Sequence, residues 1–162
     1  MPMPVLKRKR KKIKKLNVLL IDADSKIPNL ALMKLSTFHK CRGAIVHLVK
    51  LHIPYYPNRR KLYWDIDKIY GNHQYDKIYC SVIFDDSIKF INGSNIIYGG
   101  TGYSLDIELP HYIEVLEPDY SIYPDNNISY GFISRGCIRN CYFCKVPKKE
   151  GYIRQVNSIS SE

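Results

Sequence analysis

Long hydrophobic runs are missing from this sequence of 162 residues. No stretch approaches the roughly 20 apolar residues that a transmembrane helix requires. The basic start of the chain is not followed by the apolar region and cleavage site of a signal peptide, because the run at 16–23 is short and leads into acidic residues. The sequence therefore predicts a cytoplasmic protein that does not associate with membranes.

Cysteine and histidine are few, and most of them are scattered. The five cysteines are an odd number and three of them share one short loop, which argues against a disulfide framework and favours a reducing compartment. The five histidines show no pair at the spacing of metal ligands. We expect them to be surface or packed residues.

Positive charge is concentrated near the amino terminus. The formal net charge is +10, and residues 7–15 hold eight of the 25 lysines and arginines, which leaves a nearly neutral body. Such a segment cannot bury apolar surface, so residues 1–15 are predicted to be a disordered arm. Its expected partner is nucleic acid, bound weakly and without sequence preference through the phosphates. The favoured interpretation of the segment itself is a solubilising tail or an overpredicted start codon.

Apolar runs alternate with polar loops over most of the chain. Strands are predicted, in order, at 16–21, 44–49, 77–84 and 95–98, and the first two are predicted to be buried because their apolar residues are continuous. The apolar residues within 29–40 are spaced as in a helix that packs on a sheet, so the first 50 residues are predicted to form a β-α-β unit. This order predicts an α/β fold with an open, Rossmann-like (flavodoxin-like) parallel sheet over residues 16–120.

Ligands of open α/β sheets bind outside the carboxyl ends of the strands. Five residues are predicted to lie at this edge: Asp22, Asp24, Ser81, Gly99 and Gly100. The glycines belong to a Gly-Gly-Thr-Gly run, which can admit a ligand close to the backbone or form a plain turn. These residues are the candidate binding set of the domain.

The most informative stretch is a loop with the sequence CIRNCYFC. Cys137, Cys141 and Cys144 are separated by three and then two residues, and the aromatic Phe143 precedes the third. Three thiolates on one short loop can ligate three irons of a 4Fe–4S cluster and leave the fourth open to a small ligand. Residues 129–134 before the loop are predicted to be a strand.

This loop resembles the C-x3-C-x2-C motif of radical S-adenosylmethionine enzymes. The resemblance implies that Cys137, Cys141 and Cys144 ligate the cluster and that the backbone around Phe143 lies against the adenine of S-adenosylmethionine. It also implies that the loop follows the first strand of a partial α/β barrel. In the intact enzyme, the reduced cluster would cleave S-adenosylmethionine to a radical that abstracts a substrate hydrogen.

The sheet region resembles the cobalamin-binding-type Rossmann domain that many of these enzymes carry. The family motifs Asp-x-His-x-x-Gly, Ser-x-Leu and Gly-Gly are matched in part at residues 22–27, 81–83 and 99–100. Asp24 stands where the family has the axial histidine, and a carboxylate is no equivalent of imidazole. We therefore expect the fold to persist without cobalamin; binding without a protein ligand is the alternative.

The predicted organisation is an arm (1–15), a Rossmann-like domain (16–120), a linker (121–128) and the start of a radical S-adenosylmethionine core (129–162). A complete barrel of this kind needs on the order of 200 residues. Three explanations are open: a truncated gene product, a split enzyme whose second chain supplies the missing strands, and a fragment of a longer protein. We expect this chain alone not to turn over. Two alternatives are a non-catalytic module that binds a ligand or partner, and a structural zinc site completed by Cys41, Cys80 or a histidine.

Overall fold

The computed structural model describes residues 14–51, 63–71, 74–139 and 141–156. The strands are β1 (Asn17–Asp22), β2 (Ile45–Lys50), β3 (Trp64–Asp65), β4 (Lys77–Ser81), β5 (Ile91–Asn92), β6 (Ile96–Gly99), β7 (Ser134–Arg135) and β8 (Arg154–Gln155). The helices are α1 (Leu30–Lys40), α2 (Ile66–Tyr70), α3 (His111–Glu114) and α4 (Val146–Glu150), with 3-10 turns at Ser87–Phe90 and Tyr120–Ile122. Most of the predicted basic arm, residues 1–13, lies outside the described residues.

Four strands form a parallel sheet in the order β2-β1-β4-β6. At its carboxyl edge, Asp22 is in register with Lys50 on one side and Ser81 on the other, and Ser81 is in register with Gly99. The predicted α/β fold with a Rossmann-like parallel sheet is confirmed at this level. The strand order reverses between β1 and β4, which makes the space above these two strands the topological switch point of the sheet.

β1 is the centre of the core because both faces of the sheet are covered. Val18 and Leu20 pack with Leu32 and Leu35 of α1 on one face, where Ile113 joins them. Leu19 and Ile21 pack on the other face, in a cluster with Leu51, Ile66, Ile78, Cys80, Val82 and Ile91. A strand buried on both faces is a continuous apolar run, which is how β1 is visible in the sequence.

β2 differs from its prediction. It was expected to be buried, but it is an edge strand, and Ile45 is 43% exposed. The cause is its position: within the described residues β2 pairs with β1 alone, so one side of the strand has no neighbour there. Apolar composition does not reveal whether a strand is central or at an edge.

The segment with the cysteines also differs from its prediction. The expected strand at 129–134 is replaced by the two-residue strand β7, which pairs antiparallel with β8. Gly136 ends β7 at once, because it adopts φ +83° and lies so close to the backbone of Tyr152 that a Cβ would be 2.3 Å from its carbonyl oxygen. Within the described residues, β7 has no second neighbour, so a barrel strand is not formed here.

None of the helices in the described ranges is long and apolar enough to cross a membrane.

Candidate functional site

The carboxylate of Asp22 is fully buried at the end of β1. The Ser25 amide donates a hydrogen bond of 3.1 Å to it, the Ser25 hydroxyl donates a second, and the Tyr123 hydroxyl donates a third of 2.8 Å. Burial, with the negative charge of Asp22 beside it, raises the pKa of Tyr123 far above its ordinary value, so the phenol stays a donor. Asp22 therefore holds the edge of the sheet together and is not presented to a ligand.

Asp24 joins the loop after β1 to the loop after β4. Its two carboxylate oxygens accept hydrogen bonds of 2.9 Å from the backbone amides of Ile83 and Phe84. Both oxygens of the residue at the predicted axial-ligand position are thus already engaged. This arrangement agrees with an edge that keeps its shape without cobalamin.

Ser81 is tied to the start of α1. Its hydroxyl accepts a hydrogen bond of 2.8 Å from the side-chain amide of Asn29. The carbonyl oxygen of the same Asn29 side chain caps α1 by accepting from the amides of Ala31 and Leu32. Asn29 therefore connects the first helix to the end of β4, and Pro28 precedes this cap instead of occupying the first helical turn.

The glycine run after β6 packs against the loop after β4. Gly100 has φ +93°, and a Cβ there would lie 2.2 Å from the carbonyl oxygen of Val82. At Gly102 a Cβ would lie 2.6 Å from the backbone of Phe84. Gly99 has no such neighbour within 4 Å. Two of the three glycines are thus required for contact between two loops, and no ligand is needed to explain them.

The three loop cysteines lie between β7 and α4, and their thiols are free and partly exposed. The Arg139 amide donates a hydrogen bond of 3.4 Å to the sulfur of Cys137, while the Cys137 amide donates to the Gly151 carbonyl at 3.3 Å. The Cys144 amide donates to the Cys141 carbonyl at 3.1 Å. Beside them, Phe143 is 76% exposed.

Polar contacts attach this loop to the carboxyl edge of the sheet. The Lys145 ammonium pairs with Asp85, which follows β4. The Lys149 ammonium donates hydrogen bonds of 2.7 Å to the carbonyls of Leu105 and Ile107, which follow β6. The cysteine loop therefore lies on the same side of the sheet as the predicted binding residues.

A metal centre would require movement of this loop. Among the described residues, no three Cys, His, Asp or Glu side chains are gathered closely enough to hold a metal ion. The donors nevertheless suit an iron–sulfur cluster: three thiols, with an amide directed at one sulfur, as is common where hydrogen bonds to sulfur tune a cluster. The three thiols therefore suit an iron–sulfur cluster, and the loop would have to bring them closer together to bind one.

The other two cysteines are placed away from the loop. Cys41 is the residue after α1, a helix that starts at the carboxyl edge of the sheet and runs back to the amino edge. Cys80 is 1% exposed in the core, and burial, aided by the charges of Asp24 and Asp22, raises its pKa to about 12. Among the described residues, neither thiol is gathered with two of the loop thiols.

Comparisons with protein-family models, with curated proteins and with solved structures gave no match to this chain.

Two residues that shape this edge were missed by the sequence predictions. Tyr123 falls within the predicted linker at 121–128 and lies 101 positions from its partner Asp22, so no local pattern points to the pair. Asn29 does carry a signal, because asparagine directly before an apolar periodic segment is a favoured N-cap.

Proposed function

We propose that this chain is the amino-terminal portion of a radical S-adenosylmethionine enzyme and that Cys137, Cys141 and Cys144 hold its 4Fe–4S cluster. The observation that carries the proposal is the set of three free, partly exposed thiols on one eight-residue loop beside the carboxyl edge of a parallel sheet. When bound, the reduced cluster would supply the electron that cleaves S-adenosylmethionine. A reducing, cytoplasmic environment suits such a centre.

The residues of the loop have separate tasks in this proposal. The three thiolates bind iron, and the Arg139 amide stabilises the negative charge on the Cys137 sulfur. Phe143 and its neighbour Tyr142, which are 76% and 93% exposed, offer an apolar wall next to which the adenine of S-adenosylmethionine can lie. The ion pair of Lys145 with Asp85 keeps the loop on the sheet.

The Rossmann-like domain acts in this proposal as a platform that does not bind cobalamin. Asp24 and Ser81 stand at positions of the family's cobalamin motifs. Asp24 accepts hydrogen bonds from the amides of Ile83 and Phe84, and Ser81 accepts one from Asn29. Gly100 packs directly against the carbonyl group of Val82. Cobalamin would have to displace these contacts, which together support the edge of the sheet.

In this proposal, barrel strands supplied by a second chain complete the enzyme. Apolar residues around the cysteine loop are exposed among the described residues, and catalysis requires a cavity that positions both S-adenosylmethionine and substrate. We expect cleavage of S-adenosylmethionine by this chain alone to be at background, measured as release of 5′-deoxyadenosine.

Anaerobic reconstitution with iron and sulfide tests the cluster directly. We expect about four irons per chain, the content of one 4Fe–4S cluster, and visible absorption that bleaches in air. Single replacement of Cys137, Cys141 or Cys144 by alanine should abolish stable loading, because each removes one of three protein ligands. Cys41→Ala is the matched control, since Cys41 is an exposed cysteine remote from the loop.

Binding of zinc in place of iron is the competing result. Stoichiometric zinc in anaerobically purified protein, together with no uptake of iron, would favour the structural zinc site. Equal loss of iron from the Cys41→Ala variant would also contradict the proposal, because the loop would then not be the binding site.

A further inference from the structure

A groove opens on the β2 side of the carboxyl edge, away from the switch point between β1 and β4. It has a volume of about 430 Å³ and is bounded by the loop after β1, by the end of β2 and by residues 122–130. This size is within the range of roughly 300–1,000 Å³ that small-molecule sites occupy. The switch point is filled by the protein's own contacts, whereas this groove is open.

The charged residues of the groove form no ion pair within the described ranges. Lys26, Lys50 and Asp125 line it, and none of the three takes part in an ion pair with any residue of the described ranges. By contrast, two lysines of α1 do form ion pairs: Lys34 with Glu114, and Lys40 with Asp119. Outside the described ranges, the only acidic residue in the sequence is Glu162. Among its described residues, the groove therefore holds two ammonium groups and one carboxylate.

The remainder of the lining is largely apolar and well anchored. Pro28, Leu48, Ile122 and Pro124 contribute aliphatic surface. Tyr123 forms part of the wall and is fixed by its 2.8 Å hydrogen bond to the buried Asp22. Prolines and an anchored tyrosine lose little conformational freedom when a ligand packs on them.

We propose that this groove binds a small organic anion, a carboxylate or a phosphate ester, whose charge lies between Lys26 and Lys50 and whose apolar body packs on Pro28, Leu48 and Pro124. An ammonium pair recognises either anion, and the aliphatic lining selects against small inorganic ions. The site is separate from the cysteine loop, so it does not depend on the presence of a cluster.

Four probes of similar size test the proposal on the full chain: 3-phenylpropanoate, phenyl phosphate, 2-phenylethanol and phenethylamine. In two-dimensional amide NMR spectra, both anions should give saturable shifts at Lys50, Asn126 and Tyr130, and the neutral and cationic probes should not. The two anion titrations also show which anion binds more tightly. Added salt should weaken binding, because the lysines are exposed to solvent.

Charge-removing variants locate the site. Lys26→Gln and Lys50→Gln should each weaken binding about three- to fivefold, the size of one solvent-exposed charge interaction. Lys77→Gln is the matched control, because Lys77 is an exposed lysine at the opposite, amino edge of the sheet. The spectra themselves show whether each variant keeps the fold.

Three results would overturn the proposal. The first is absence of saturable shifts with both anions, and the second is equal binding of phenethylamine or 2-phenylethanol. The third is a loss of affinity in Lys77→Gln as large as that in the groove variants, which would indicate a general attraction of anions to a basic chain.

Discussion

The sheet buries its apolar side chains, whereas the segment that carries the cysteines, residues 128–156, exposes them. In the sheet, four consecutive apolar residues of β1 are 0% exposed. In the cysteine segment, no described residue is buried. Ten of its large apolar side chains are exposed by 39% to 93%: Ile128, Phe132, Ile133, Ile138, Tyr142, Phe143, Val146, Tyr152, Ile153 and Val156.

The two regions are stabilised by different kinds of interaction. A fully buried aliphatic side chain contributes about 1.5–3 kcal/mol, and the two core clusters contain many of them. The cysteine segment is attached by ion pairs and hydrogen bonds at the surface, which are worth about 0–1 kcal/mol each. The sheet should therefore be the stable unit, and the segment should open locally until another surface covers it.

The largest expected effect comes from breaking the sheet region at Gly100. Gly100→Ala should lower the free energy of unfolding by about 3 kcal/mol or more, because a Cβ would collide with the Val82 carbonyl in a left-handed backbone. Urea unfolding, followed by circular dichroism, measures the change.

Gly99→Ala is the matched control for this variant. No atom lies within 4 Å of a Cβ at Gly99, so its change should stay within about 0.5 kcal/mol. Similar losses in both variants would show that the glycine run is not needed for the contact between the two loops.

A smaller effect is expected where the two regions meet. Tyr123→Phe removes one hydrogen-bond donor from the buried Asp22 carboxylate and should cost about 1–3 kcal/mol. Tyr112→Phe, on the exposed face of α3, should cost almost nothing. Equal urea midpoints for the two variants would mean that the hydrogen bond from Tyr123 to Asp22 does not contribute to stability.

The sequence predicts the sheet well where the information is local. β1 is a continuous apolar run, and the carboxyl ends of parallel strands must share one edge, so Asp22, Asp24, Ser81 and Gly99 could be placed together from the order of elements. The cysteine motif is equally local, because its spacing is a property of eight consecutive residues.

What the sequence did not predict depends on distant partners. The role of Tyr123 requires Asp22, and the requirement for glycine at position 100 arises from Val82 on another loop. The edge position of β2 depends on the strand order of the whole sheet. Such contacts are decided by tertiary packing, which a single sequence does not display.

The smallest effect on global stability is expected from loosening the cysteine segment. Arg135 bridges Glu114 of α3 at 2.9 Å and Glu150 of α4 at 3.2 Å, so it connects the segment to the sheet domain. Arg135→Gln should change the free energy of unfolding by less than about 1 kcal/mol, since the pairs are at the surface and Glu114 keeps Lys34 as a partner.

The same variant should nevertheless alter local opening. A loss of about 1 kcal/mol of attachment makes opening roughly fivefold more frequent, so amide hydrogen exchange in residues 134–150 should accelerate by about that factor, while β1 peptides exchange as before. Lys89→Gln, which removes an exposed pair within one turn, should leave both unchanged. If β1 exchanged faster in step with the segment, the two regions would form a single cooperative unit, and the exposed apolar residues would need another explanation than a missing cover.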